Sequence, residues 1–467
     1  MNGKHSLFSL FSGAGGLDLG FKLTGRFSTI FGNDILAPAV ETFSANFGLR
    51  YTKFQPTVQD PPSIYLGDVA DLQTDSFEGL QPDVVTGGPP CQDFSIIRGP
   101  QAERVGIEVS RGRLYSHFIR VLNHLQPKTF VFENVPGLMS ANKGKAYEVI
   151  LKDFSNLNVR WSQIRKLVGN ASNVTPRGYE LLFSGLVNAS KLGVPQARKR
   201  LVVIGLRKDL FEASWWKGKG WKKKMADAFN GGGRFVSRYP LTTMEVLEGR
   251  VLSDLKDKYA EVMKEYDGVA NEVGTPKALK WKKLVWEKLS FNAVEDYIML
   301  NKIKTESKEE VDEAFAEHAE ILKELGYLGS QVSSLKCDDG SNELPNESTN
   351  VRERMRRVPP NENHQFVRGT SWEVEGRGFS LIYRRVHPLK PAYTVVAYGG
   401  GGTWGYHYER QRAVLTNRER ARLQTFPDNF TFKGSRSQVR AQIGEAVPPL
   451  MAKRVAEVVA DALEEFS

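Results

Sequence analysis

The stretch Leu7-Phe8-Ser9-Leu10-Phe11-Ser12-Gly13-Ala14-Gly15-Gly16-Leu17-Asp18-Leu19-Gly20-Phe21-Lys22-Leu23 decides the fold. Leu7 to Phe11 reads as a short buried strand, the glycines as a tight turn, and Leu17 to Leu23 as a helix. Missing side chains at such a turn let a ligand approach the backbone and the helix N-terminus. The turn lacks the lysine-serine ending of a P-loop and departs from dinucleotide spacing, so alone it fits a plain turn equally well. The alternation recurs outward: Thr29 to Phe31 then Ala37 to Phe47, Val84-Val85, Leu114 to Leu125, Thr129 to Phe132, and Leu201 to Leu206. That order predicts an α/β fold, a Rossmann-like doubly wound and mostly parallel sheet.

The chain has 467 residues, 40% of them hydrophobic, enough for more than one domain. From Lys208 its character changes: Trp215-Trp216-Lys217 and Lys222-Lys223-Lys224 precede long charged helical stretches between Met244 and Leu325, and residues 331–365 are polar and loop-like. Leu415 to Phe466 returns to helical patterning. We therefore expect a catalytic domain at 1–207, a smaller variable domain at 208–383, and a C-terminal return at 384–467. Only Cys91 and Cys337 occur, which excludes a disulfide framework and a cysteine-based zinc site. The start of the chain does not read as a signal peptide, and no run reaches the length of a membrane span. A soluble, cytoplasmic protein without a membrane partner is expected. The formal charge of +10 permits a polyanionic partner without requiring one.

Three acids and a thiol stand at predicted strand ends. Asp34 follows the second strand roughly 20 residues after Gly13, where a carboxylate accepts ribose hydroxyls. Asp68, in Leu66-Gly67-Asp68-Val69, suits an adenine amino group, although either acid also fits a helix cap. Together they describe an adenosine site without a phosphate clamp, which suits S-adenosylmethionine. Cys91 ends Gly87-Gly88-Pro89-Pro90-Cys91, where two prolines stiffen the exit from a buried strand. Free cysteines are often inert core residues, but Glu133 ends another strand and can share its crevice. Arg198 and Arg200 enter the strand Leu201-Val202-Val203-Ile204, and strict alternation would point both the same way, toward the thiol and acid.

At this point the chain resembles the cytosine-5 DNA methyltransferase family, of bacterial or phage modification type. The match is carried in order by the Phe11 to Gly16 turn, Asn33-Asp34, Gly67-Asp68-Val69, Gly88-Pro89-Pro90-Cys91-Gln92, Arg111-Gly112, Glu133-Asn134-Val135, Gln196-x-Arg198-x-Arg200, Gln424-Thr425-Phe426-Pro427-Asp428, and Gln442 to Pro449. The resemblance implies that Cys91 attacks carbon 6 of a flipped-out cytosine, Glu133 engages ring nitrogen 3, and Arg200 holds the base carbonyl, with Arg198 and Gln196 ordering the pocket. It implies S-adenosylmethionine as cofactor, held by Phe11, Gly13, Gly15, Gly16, Asp34, Ile35, Asp68, Val69, Pro89, Glu445, Ala446 and Val447. Asp34 stands where many relatives carry glutamate and Glu445 where most carry asparagine.

The region between the Arg198/Arg200 block and Arg384-Arg385-Val386-His387 would be the target-recognition domain. Residues 351–385 hold eight arginines and four glutamates with no lysine or aspartate, interleaved with Phe366, Trp372, Phe379 and Tyr383. Arginines pair with guanine edges, whereas Lys222 to Lys224 suit phosphate. The expected nucleic-acid contacts are Gln92, Ser95, Arg98, Arg111, Arg113, Arg368, Arg377, Arg384 and Arg385, with the segment 94–113 closing over the flipped base. The expected partner is double-stranded DNA, bound by a monomer, nucleoid-associated in a bacterial host and part of a restriction-modification system. Two other readings stay open: the same chemistry on transfer RNA, and a catalytically inactive DNA-binding relative.

Overall fold

The computed structural model describes residues 3–90, 114–157, 177–374, 383–397, 405–412 and 414–466. Two compact units are present. One comprises Met1–Asn188, Lys199–Gly232 and Ala446–Ser467, the other Ala189–Arg198 and Gly233–Glu445.

The strands are β1 (His5–Leu10), β2 (Phe27–Asp34), β3 (Arg50–Thr52), β4 (Ser63–Leu66), β5 (Val84–Gly87), β6 (Thr129–Asn134), β7 (Tyr179–Asn188), β8 (Gln196–Ala197), β9 (Lys199–Arg207) and β10 (Ala392–Tyr393). The first unit is built on an eight-stranded sheet of order β3-β4-β2-β1-β5-β6-β9-β7. Strands β1 to β6 pair in parallel, whereas β9 runs antiparallel to both β6 and β7. Strand order reverses direction at β1, with β2 on one side and β5 on the other, so ligand-binding loops gather at the carboxyl ends of these strands. This is the doubly wound α/β sheet expected.

Apolar residues alternate with period two along the central strands, so each face needs its own cover. Phe8, Leu10, Val85, Phe130, Phe132 and Val203 line one face and pack with Phe118, Phe154 and Tyr179 into a single core. Helices α1 (Gly16–Leu23), α2 (Ala37–Phe47), α3 (Leu114–Leu125) and α4 (Lys145–Asn156) belong to this unit. The final helix, Pro449–Phe466, packs against α1. Gly20 is what permits that contact, since a Cβ there would stand 2.3 Å from the Cβ of Ala452.

The units divide the chain at places other than 208 and 384. The helix Trp215–Phe229 packs on β7 and on the final helix, which draws residues up to Gly232 into the first unit. Residues 384–445 belong instead to the second unit, and the return begins at Ala446. In that unit the helical stretch and the arginine-rich stretch share one core: Tyr266, Val269, Trp281, Met355, Phe366 and Tyr383 are members of the same cluster. A buried ion pair braces it further. His318 Nδ1 lies 2.9 Å from Glu245 Oε1 and its Nε2 lies 2.8 Å from the Tyr239 carbonyl. Both ring nitrogens face acceptors, so the imidazole is held as the cation. Burial opposes that charge, but Glu245 outweighs it and keeps His318 above its ordinary value.

Candidate active site at the carboxyl edge of the sheet

The turn after β1 is shaped by backbone geometry that few residues adopt. Phe11 has φ 53°, Gly13 φ 54° and Gly15 φ 86°. Phe11 holds the left-handed conformation without being glycine, a strain of the kind found at ligand sites. Gly15 is required twice, because a Cβ would also stand 2.6 Å from the Phe47 ring. At Gly13 a Cβ would meet nothing within 4 Å, so the space beyond the turn is open.

Asp34 anchors this turn from β2. Its Oδ2 accepts the Gly13 N–H at 2.8 Å and its Oδ1 the Leu36 N–H at 2.9 Å, leaving each oxygen a further lone pair. Burial raises its carboxyl above the ordinary range, against these backbone donations. Beside it the Ile35 side chain is 61% exposed. Asn33 links the strand ends: its Nδ2 donates to the carbonyls of Tyr65 at 3.2 Å and Gly67 at 2.9 Å. Asp68 follows, accepting the Ala70 N–H through Oδ1 at 2.8 Å as the cap of the short turn Val69–Asp71. Val69 is buried, and Arg120 on α3 donates to its carbonyl at 2.7 Å. Two carboxylates, an exposed apolar side chain and an open glycine turn form one edge that fits an adenosine-bearing ligand. Gly16 opens α1 immediately beyond.

A second cluster lies at the ends of β5 and β6. Glu133 Oε1 pairs with Arg200 Nε at 2.9 Å, both side chains 12% exposed. Gly88 makes room for it, since a Cβ there would stand 2.9 Å from Glu133 Oε2. Asn134 ties the proline turn to β6, donating to the buried Pro89 carbonyl at 3.1 Å and accepting the Val135 N–H at 2.7 Å. Burial lowers the Arg200 pKa from its usual value, and Glu133 counters that. A carboxyl so placed can hold a proton for a ring nitrogen while the guanidinium polarises a carbonyl oxygen.

Several expectations need correction. Arg198 and Arg200 do not point together, because the strand breaks at Arg198, between β8 and β9. Arg198 is fully buried in the second unit and donates to the carbonyls of Val395 and Gly444, each at 2.9 Å. Gln196 is buried there too, donating to Leu423 O and Gln424 Oε1 and accepting from Val395 N–H. Both brace that unit's own packing. Arg385, expected on nucleic acid, is also fully buried and donates to the carbonyls of Met355, Val358, His407, Glu409 and Arg412. Phe366 and Tyr383 belong to the second unit's core, and Trp372 packs against it. Of the three lysines expected on phosphate, Lys222 pairs with Glu180 and Lys224 with Asp461.

Arg368 is exposed, its side chain 80% accessible and paired with Glu373 at 3.7 Å. Arg384 lies over the Tyr393 ring. Glu445 is the exposed last residue of the helix Arg436–Glu445, and Ala446 and Val447 begin the first unit's closing segment. Cys91, Gln92, Ser95, Arg98, Arg111, Arg113 and Arg377 lie outside the described residues, as do Phe379 and the segment 94–113. Sequence reasoning missed Ser9, Asp18 and Arg120, whose only signal was polarity at positions where the pattern asks for apolar residues. No group of acids, histidines and cysteines among the described residues could hold a metal ion. No described helix is long and apolar enough to cross a membrane.

Comparison with known proteins agrees with this geometry. The family model described as C-5 cytosine-specific DNA methylase matches residues 5–461. The chain is 56% identical to the DNA (cytosine-5-)-methyltransferase M.ApeKI of Aeropyrum pernix, over 99% of each chain. It is 32% identical to the type II methyltransferase M.BbvI of Brevibacillus brevis over 96% of this chain and 89% of that one. A solved chain encoded within an E. coli prophage shares the fold at TM-score 0.54 and 21% identity, covering 99% of this chain and 100% of the other. With matched residues running from β1 into the final helix, and with the glycine turn, Asp34, Asp68 and Glu133 gathered at one sheet edge, the chain belongs to the C-5 cytosine-specific DNA methylase family and is a DNA (cytosine-5-)-methyltransferase.

Proposed function

We propose that this enzyme methylates carbon 5 of one cytosine within a specific sequence of double-stranded DNA, using S-adenosylmethionine and a transient covalent bond to Cys91. The observation that carries the reading is the largely shielded Glu133–Arg200 pair beside Gly88. The residues at the neighbouring strand ends fit the methyl donor: Gly13 leaves the turn open, Asp34 and Asp68 offer acceptors for ribose and adenine, and Ile35 offers an apolar face. S-adenosylmethionine, when bound, supplies an electrophilic methyl group.

The Cys91 thiolate forms a bond to carbon 6 of the cytosine, and Glu133 gives a proton to ring nitrogen 3 as electron density moves to carbon 5. Arg200 holds the base carbonyl oxygen. Carbon 5 then takes the methyl group, a base removes its proton, and the returning electron pair expels the thiolate while nitrogen 3 returns its proton to Glu133. The target base lies inside the duplex stack and must be turned out, at a cost of roughly a few kcal/mol. The type II relatives support DNA over transfer RNA as substrate. Transfer of labelled methyl groups to duplex DNA and to transfer RNA, followed by bisulfite sequencing of DNA from cells expressing the protein, tests the reading. Label in transfer RNA alone would refute it.

A further inference from the structure

We infer that Asp18 is a positioning residue of the cofactor turn, and that its ionisation sets how strongly the site prefers a sulfonium ligand over the neutral thioether left after transfer. The inference rests on reading the turn after β1 as the S-adenosylmethionine site.

Asp18 stands in the first turn of α1 and is fully buried. Three donors in series lead to it. The Asn33 N–H donates to Ser12 Oγ at 3.2 Å, Ser12 Oγ to Ser9 Oγ at 3.0 Å, and Ser9 Oγ to Asp18 Oδ2 at 2.9 Å. Ser12 precedes Gly13 and Asn33 precedes Asp34, so the chain starts on the two backbone segments that frame the site. The other carboxyl oxygen, Oδ1, is buried and takes no hydrogen bond from another described residue, the Asp18 backbone N–H being the one further donor at the carboxyl. Thr86 is the register partner of Ser9 across β1 and β5, so its side chain projects to the same face of the sheet, and its Oγ1 is likewise buried without a partner. Unpartnered buried polar atoms are costly and rare, and two in one layer beneath a ligand turn call for a purpose.

Among the described residues no ion pair to this acid is seen. Of the neighbouring strands, β5 brings no ionisable side chain, and His5, which alternates onto the Ser9 face of β1, lies against the Phe27 ring and 4.0 Å from Asp83. On β2, Asp34 is engaged with Gly13 and Leu36. On the final helix Arg454 pairs with Glu457 at 2.9 Å and Asp461 pairs with Arg26 at 2.7 Å. On α1 itself Lys22 donates to the Asn46 carbonyl. Burial therefore pushes the Asp18 carboxyl up to about 7, with the Ser9 hydroxyl opposing it.

Ionised Asp18 places a negative charge under the turn and draws the donor chain toward itself. A ligand carrying a sulfonium gains from that charge, and S-adenosylhomocysteine, of nearly the same shape but lacking the sulfonium, gains less. By linkage, affinity for the sulfonium ligand rises as pH rises through the Asp18 midpoint.

The test is calorimetric titration of the full chain with each ligand from pH 6 to 8.5. For the wild type, S-adenosylmethionine affinity should tighten roughly three- to ten-fold across that window, with less than about a two-fold change for S-adenosylhomocysteine. Asp18→Asn should flatten the first slope and hold it at the weak end. Ser9→Ala, which removes the donor and keeps the acid, should move the midpoint upward, and it serves if Asp18→Asn fails to fold. A wild-type slope retained in Asp18→Asn, equal slopes for the two ligands, or an unmoved midpoint in Ser9→Ala overturns the assignment. If neither ligand binds the wild type at any pH, the methyl-donor reading itself falls, and this inference with it.

Discussion

Arg200 in the first unit and Arg385 in the second are both withdrawn from solvent, yet their surroundings differ in kind. Arg200 faces the carboxylate of Glu133 at a strand end, whereas Arg385 spends its guanidinium on five backbone carbonyls. A carbonyl cannot change charge, so the cluster around Arg385 has one state and serves only to fix chain segments. The pair around Arg200 contains a group that exchanges a proton, and it lies where a ligand can reach. The difference teaches that burial alone does not mark a functional arginine; the partner does. Arg198, two residues before Arg200, makes the same point, since its two carbonyl partners place it with Arg385.

The comparison is sharpened most by removing chemistry from the first unit. Cys91→Ala should abolish methyl transfer and Glu133→Gln should cut kcat by about 10²–10⁴, both with duplex binding and thermal stability near wild type. Substantial turnover by Cys91→Ala in a labelled-methyl assay would refute the covalent route. Arg385→Ala should do the reverse: about 3 kcal/mol or more of stability lost in denaturant titration, from five carbonyls left without a donor in a buried place. A variant that melts like the wild type but fails to bind duplex would restore Arg385 as a nucleic-acid contact.

A third expected effect is pH-dependent. His318 has a folded pKa raised above its unfolded value, so the stability it contributes is full below the ordinary imidazole range and lost as pH rises through the raised value. Glu245 is shifted the other way: against burial, the facing imidazolium holds it below its ordinary value, and its contribution fades as pH falls through that lower value. His318→Leu should therefore cost about 3–5 kcal/mol near pH 6 and less on the alkaline side. Equal loss at pH 6 and pH 9 in urea melts would show that the pair is not charged.

Smaller effects belong to exposed residues. Glu445→Gln should weaken S-adenosylmethionine binding by about 1 kcal/mol, the loss of one charge-assisted hydrogen bond to the ligand's ammonium group. Tighter calorimetric binding by the glutamine variant would mean the carboxylate opposes the ligand. Arg368→Ala should weaken duplex binding alike across sequences and lower the salt slope by about one, leaving stability within about 0.5 kcal/mol. A change confined to one base position would make Arg368 a base reader.

The first unit was readable because its signals are local. Apolar runs of strand length at Leu7, Val84, Thr129 and Leu201 are each a short, self-contained signal, and each became a strand of the sheet. Strand β7 escaped notice because its alternation is interrupted by a register shift between Leu181 and Phe183. The arginines of 351–385 misled because charge in sequence says nothing about which carbonyls will surround it. Those of Arg385 come from Met355 to Arg412, segments whose meeting is decided by tertiary packing. Asp18 carried only a weak signal, an acid on the side of its helix that packing needs apolar, and that side is identified only once the sheet beneath it is known.

The contact between Gly20 and Ala452 also bears on how the protein is made. A chain emerging from the ribosome lays down the glycine turn, Asp34, Asp68, Glu133 and Arg200 long before residue 446 exists. Until the last two dozen residues are synthesised, the groove on α1 that Gly20 leaves open has no occupant and its apolar floor faces water. Arrival of the helix Pro449–Phe466 on α1 is thus what completes the first unit. Copies truncated before residue 446 would carry the candidate site's side chains without a finished fold to aim them.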